Sequence, residues 1–102
     1  MNEPTALFDQ AERVADRLRL SGHQLVLAES CTAGLVAAAL GGVPGISRHL
    51  CGSAVVYQER TKAAWLDVPE SLLAERGAVS AEVAAAMAAG ALDRTPHADV
   101  AA

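Results

Sequence analysis

Leu25-Val26-Leu27-Ala28 is the segment that most constrains what this chain can fold into. A short continuous apolar run, without the polar alternation of a half-wet sheet, reads as a strand buried on both faces. Such a strand needs helices to cover it, and the flanking sequence provides them. Between Pro4 and Leu20, the residues Leu7, Ala11, Val14 and Leu18 recur at spacings of four, three and four, with Asp, Glu and Arg on the other face, so this stretch is an amphipathic helix. Ser21-Gly22 ends it, because glycine tolerates the left-handed cap conformation.

After the strand the chain turns at Glu29 to Thr32 and enters a helix through Ala33 to Leu40, with Thr32 or Ser30 as its cap and Gly41-Gly42 and Pro44-Gly45 as its stop. Ile46 to Gly52 carries no clear pattern. Ala54-Val55-Val56-Tyr57 reads as a second buried strand, followed by a helix from Arg60 to Leu66. Pro69 and Gly77 frame a short helix, Glu70 to Arg76. Ser80 caps a longer one, Ala81 to Arg94, whose Val83, Met87 and Ala91 share a face. Ala98 to Ala102 begins a third strand. This alternation predicts a layered α/β fold, a parallel or mixed sheet with helices packed on its faces, in a single domain over residues 1–102. The last strand has no return element to cover it, so the domain is expected to be incomplete at its C-terminal side, and an exposed sheet edge would favour homo-oligomers.

Composition narrows the function. The chain is 52% hydrophobic but only 3% aromatic, so its core must be built from Ala, Val and Leu, which let elements approach closely. The net charge of −4 comes from 12 acids and 8 bases with no Lys/Arg run to neutralise successive phosphates, which argues against nucleic acid as a partner. The longest apolar stretches, Gly34 to Val43 and Val83 to Leu92, fall short of the roughly 20 residues of a membrane span, and the N-terminus lacks a signal-peptide pattern. A cytoplasmic protein with Cys31 and Cys51 reduced is expected. Cys31, Cys51, His23 and His49 lack zinc spacing, and Gly41, Gly42 and Gly45 form neither a Walker loop nor a dinucleotide fingerprint, so no metal or cofactor is expected. His97 reads as a solvated loop residue and Trp65 as a packing anchor.

Ser30 lies between the apolar strand and a helix, where its hydroxyl would sit near backbone N–H groups at a positive helix end. A serine nucleophile also needs a base and oxyanion donors, and the turn can supply the donors. On spacing alone, such a serine is most simply a helix cap. Cys31 is a rival nucleophile, since a thiol at a helix N-terminus is the more reactive group, but adjacent positions do not usually both point inward. Otherwise Cys31 is a small buried hydrophobe.

Four segments in one order change that balance: Ala28-Glu29-Ser30-Cys31-Thr32-Ala33-Gly34, Val43-Pro44-Gly45, Val55-Val56-Tyr57 with Lys62, and Gly77-Ala78-Val79-Ser80. Together they resemble the CinA C-terminal family, from about Leu25 to Ala102, with Leu66-Asp67-Val68-Pro69 similar to the family's Leu-Gly-Val-Pro. The resemblance implies an amidohydrolase that converts nicotinamide mononucleotide to nicotinate mononucleotide and ammonia. It makes Ser30 the nucleophile and Lys62 the base, with Tyr57 assisting. A lysine serves as base only when its ammonium is destabilised, by burial or by a cation such as Arg60. Taken singly, Lys62 also fits a solvated helix residue, and Tyr57 a strand end with a packed ring and a wet hydroxyl. Glu29, Cys31, Thr32, Ala33 and Gly34 are expected to contact the nucleotide substrate, Glu29 by orienting the lysine or a substrate hydroxyl.

The sequence departs from the family pattern in three places. Ala33 stands where many relatives have a second glycine, a mild change if that residue is helical, and Glu59-Arg60 replaces Asn-Glu. The family's Thr-Gly-Ile-Ala-Gly-Pro-like loop, whose N–H groups would suit phosphate, is not in this sequence. The alternative is therefore a non-catalytic remnant serving as a binding or assembly module.

Overall fold

The computed structural model describes residues 4–102, so the first three residues of the expected domain lie outside the described part. Helix α1 spans Pro4–Ser21, strand β1 Leu25–Glu29, helix α2 Leu35–Gly41, strand β2 Leu50–Val55, helix α3 Glu59–Leu66, helix α4 Glu70–Arg76, helix α5 Ala81–Asp93 and strand β3 Val100–Ala101. A single 3₁₀ turn at Ile46–Arg48 leads into β2. The three strands form one parallel sheet in the order β2-β1-β3. The layered α/β fold is as expected, and the sheet is wholly parallel among the described residues.

β1 is central, and its residues divide by parity. Leu25 and Leu27 pack with Ala11, Ala15 and Leu18 of α1 and Ala39 and Leu40 of α2. Val26 and Ala28 face the other way, into a cluster with Leu66 of α3, Leu73 of α4 and Val83, Met87 and Ala91 of α5. Side chains alternate across a strand, so a continuous apolar run feeds two cores at once. Helices α1 and α2 thus cover one face and α3 to α5 the other.

Four sequence expectations need correction. The buried stripe of α1 runs through Ala11, Ala15 and Leu18 with Leu7 packed beside it, whereas Val14 is exposed. β2 begins at Leu50 and ends at Val55, so it starts four residues before the Ala54 to Tyr57 run and shares only Ala54 and Val55 with it. The small residues Gly52 and Ser53 break its apolar signal, and as an edge strand it is only half-buried. Helix α2 starts at Leu35, after two left-handed residues, Ala33 and Gly34. Trp65 is 56% exposed and anchors nothing, because Lys62 and Leu66 take the inner face of α3. The cap at Ser80 is as expected, its hydroxyl accepting from Val83 N at 3.2 Å, and Gly22 and Gly77 carry the positive φ that ends their helices.

A core of small residues depends on close approach. Gly90 of α5 lies against the backbone at the end of α3, where an added Cβ would overlap the Leu66 carbonyl oxygen. Both partners are backbone, so neither can swing aside. Gly90→Ala is expected to destabilise the fold by about 3 kcal/mol or more despite the better helix propensity of alanine, read as a lower urea midpoint than wild type.

Candidate active site

The chain leaves β1 toward α2 on one face and leaves β2 toward α3 on the other. Exits that diverge from neighbouring parallel strands open a crevice at their carboxyl ends, the place where open α/β sheets bind ligands. Ser30 follows β1 directly, and Tyr57 and Lys62 follow β2.

Parity sets what each residue does there. Ser30 continues the Val26–Ala28 face and meets α3, where Lys62 Nζ donates to Ser30 Oγ at 2.9 Å. The same nitrogen donates to the Tyr57 carbonyl oxygen at 3.0 Å. Lys62 is 1% exposed, and among the described residues no carboxylate lies within ion-pair distance of it. It is therefore not the solvated residue that α3 could have carried at this position. Arg60, two residues earlier, is exposed. The Tyr57 side chain is 59% exposed and its hydroxyl donates to the Cys31 carbonyl at 3.4 Å. What touches the lysine is the Tyr57 backbone, not its phenol.

Glu29 points to the opposite face. Its carboxylate is 5% exposed and accepts from four donors: Thr32 Oγ1 at 2.8 Å and Val36 N at 2.9 Å on Oε1, Ala37 N at 3.1 Å and Ser53 Oγ at 3.0 Å on Oε2. Gly34, the N-cap of α2, has no side chain to offer the first turn. Glu29 fills that role from outside the helix, so neither Thr32 nor Ser30 is the cap. Nor does Glu29 orient Lys62, since its oxygens are occupied elsewhere. Burial pushes its carboxyl up, but the Thr32 hydroxyl, the Val36 and Ala37 amides and the Ser53 hydroxyl outweigh that and hold it below the ordinary 4.5. Ser53 was not expected to take part; its only sequence signal is a hydroxyl between the patternless Ile46 to Gly52 stretch and the apolar run that starts at Ala54.

The turn between them is tight. Ala33 has φ 57° and Gly34 φ 94°, so Ala33 does not have the helical geometry that would make alanine an innocuous replacement for glycine. Cys31 is exposed, not buried, while its neighbour Ser30 reaches inward. Among the described residues the backbone N–H groups of Ser30, Cys31, Thr32 and Gly34 find no acceptor. Ser30, Cys31 and Thr32, but not Gly34, line a cleft of ≈ 370 Å³ together with Val36, Val79 and Met87. No group of three or more His, Cys, Asp or Glu side chains is placed to hold a metal among the described residues.

Two consequences can be measured. Because the folded-state carboxyl of Glu29 titrates below its unfolded value of 4.5, its stabilisation is fully present above that pH and is lost as pH falls through the folded-state value. Glu29→Gln should cost about 2 kcal/mol or more at pH 7 in urea denaturation, with the gap to wild type narrowing below pH 4.5. Ala33→Gly should stabilise the fold by up to about 1 kcal/mol, a rise of several degrees in Tm by calorimetry, because glycine relieves the left-handed strain.

Comparison with known proteins places the chain. Residues 8–102 match the CinA C-terminal domain. CinA-like proteins of Myxococcus xanthus (strain DK1622) and Geobacter metallireducens are 51% and 55% identical over 80 and 78 residues, 78% and 76% of this chain. The match takes up only 19% of each of those relatives. Among solved structures, the competence/damage inducible protein CihA of Agrobacterium tumefaciens superposes with a TM-score of 0.89 at 35% identity, over 99% of this chain and 61% of that one. A CinA superfamily protein of Escherichia coli gives 0.89 at 31% identity, over 99% and 59%. The match over residues 8–102, and relatives about half identical to it over three quarters of its length, make this chain a member of the CinA C-terminal domain family.

Proposed function

We propose that this chain carries the nucleophile and base of an amidohydrolase that deamidates nicotinamide mononucleotide to nicotinate mononucleotide and ammonia. The observation that carries the reading is the 2.9 Å contact between Lys62 Nζ and Ser30 Oγ, made by a fully buried lysine with no carboxylate partner among the described residues. A salt-bridged lysine would be a structural cation, whereas one aimed at a serine hydroxyl is placed to exchange a proton with it.

In the proposed reaction the amine form of Lys62 takes the proton of Ser30 as Oγ bonds to the carboxamide carbon. The carbonyl electron pair moves onto oxygen, toward the unpartnered N–H groups of the turn, which act as preorganised donors. Collapse of this intermediate breaks the C–N bond, Lys62 returns the proton to nitrogen, and ammonia leaves. Water then attacks the seryl ester and gives its proton to Lys62, which passes it back to Ser30 Oγ as the carboxylic acid departs. The Tyr57 carbonyl keeps Nζ aimed at Ser30, and the Tyr57 hydroxyl braces the turn through Cys31. A cytoplasmic setting and self-association belong to the same proposal; no described helix is long and apolar enough to cross a membrane.

One observation favours the second reading, a binding or assembly module without catalysis. The residues lining the cleft include no lysine or arginine, so the chain itself offers a phosphate neutral donors there and no cation. Ammonia release from nicotinamide mononucleotide by the purified chain separates the two. The amidase reading expects release that Ser30→Ala abolishes and that Lys62→Met, which keeps the buried slot filled, lowers by about 10²- to 10⁴-fold. Tight binding of the nucleotide by calorimetry with no ammonia from well-folded protein would instead establish the binding module.

A further inference from the structure

We propose that Ser53 is a positioning residue for the Ser30–Lys62 pair, acting through the Glu29 carboxylate; this rests on the amidase reading above. Ser30 and Lys62 come from segments that follow different strands, β1 and β2, so their distance is fixed by how the carboxyl ends of those strands are held together. Backbone pairing does part of this, since Val56 N donates to the Glu29 carbonyl at 2.9 Å and Glu29 pairs with Val55 in the ladder. That register is irregular only at the opposite end of β1, where it shifts between Leu25 and Val26.

Ser53 adds a side-chain lock at the active end. It sits in β2 opposite Leu27, half-buried, and donates to Glu29 Oε2 at 3.0 Å. The same oxygen holds Ala37 N, and the other holds Val36 N and Thr32 Oγ1. One carboxylate therefore ties β2, the start of α2 and the turn after Ser30 to the residue just before Ser30. Four residues beyond Ser53, the Tyr57 carbonyl holds Lys62. The two halves of the reacting pair are thus referenced to the same short stretch of β2. A hydrogen bond to a charged acceptor is stronger than a neutral one, so losing it lets the turn shift, and small displacements of reacting groups cost rate steeply.

The test needs a readout that a merely structural residue would not move. The rate at which Ser30 is labelled by a fluorophosphonate probe, followed by intact-protein mass spectrometry, reports nucleophile placement without requiring nicotinamide mononucleotide; kcat and KM for ammonia release are measured beside it. Ser53→Ala should slow labelling and kcat by about tenfold or more with KM changed less than about twofold, and Ser53→Thr, which keeps the hydroxyl, should restore both. Leu73→Ala, a core truncation in α4, should lower Tm without slowing labelling. Equal labelling by wild type and Ser53→Ala, or slowing that Leu73→Ala reproduces at matched loss of Tm, overturns the proposal. Wild type that labels at Ser30 in a Lys62-dependent way but releases no ammonia sinks the nucleotide substrate while leaving the role of Ser53 to be read from the labelling rates. No labelling of wild type sinks both.

Discussion

The alternation of side chains at the carboxyl end of β1 is the constraint on which the rest of the site depends. Leu25 and Leu27 face α1 and α2, Val26 and Ala28 face α3 to α5, and the next two residues inherit those directions. Glu29 meets the exposed amides at the start of α2, and Ser30 meets Lys62. Reversing the two residues would put a carboxylate against the buried lysine and a hydroxyl against the helix. The first change would convert the lysine into an ion-pair partner, and the second would replace a charged cap with a weaker neutral one. Both functions therefore follow from a period of two applied to Glu29-Ser30 in this order.

Small residues make that geometry reachable. α5 approaches α3 closely because Gly90 has no Cβ to meet the Leu66 carbonyl. Gly34 turns the chain with φ 94°, a conformation other residues rarely adopt; a Cβ there would make only an ordinary contact with Val55, so the turn calls for glycine by its conformation and not by lack of room. A core richer in aromatic residues would need wider spacing between layers, and the Lys62 side chain would have to span a longer gap to reach Ser30. The low aromatic content and the buried lysine are linked in this way.

Much of this was legible in sequence, and the misses have physical causes. Continuous apolar runs and 3.6-residue stripes located β1, α1 and α5, because each signal reports burial that the structure then realises. β2 was displaced to Ala54–Tyr57 because an edge strand carries small and polar residues where a central one carries Val and Leu. The start of α2 was placed two residues early because alanine gives no sign that Ala33 is left-handed. Ser30, Lys62 and Tyr57 were assembled from family resemblance, since 32 residues separate the first two and no local pattern relates them. Ser53 escaped notice because its meaning lies in the register with β1, which the sequence does not display.

The exposure of Cys31 bears on why serine and not cysteine holds the inward position. A thiol beside the start of a helix is the more reactive group in isolation, yet reaction also requires a partner to receive the proton and donors to meet the developing charge. Cys31 lies on the wrong side of the turn for Lys62, which is already engaged by Ser30 and the Tyr57 carbonyl. Its carbonyl receives the Tyr57 hydroxyl, so its backbone helps to fix the turn while its side chain faces outward. Placement overrides intrinsic reactivity here. On the proposed reading, a hydroxyl with the buried Lys62 nitrogen at 2.9 Å is better equipped for acyl transfer than a neighbouring thiol without such a partner.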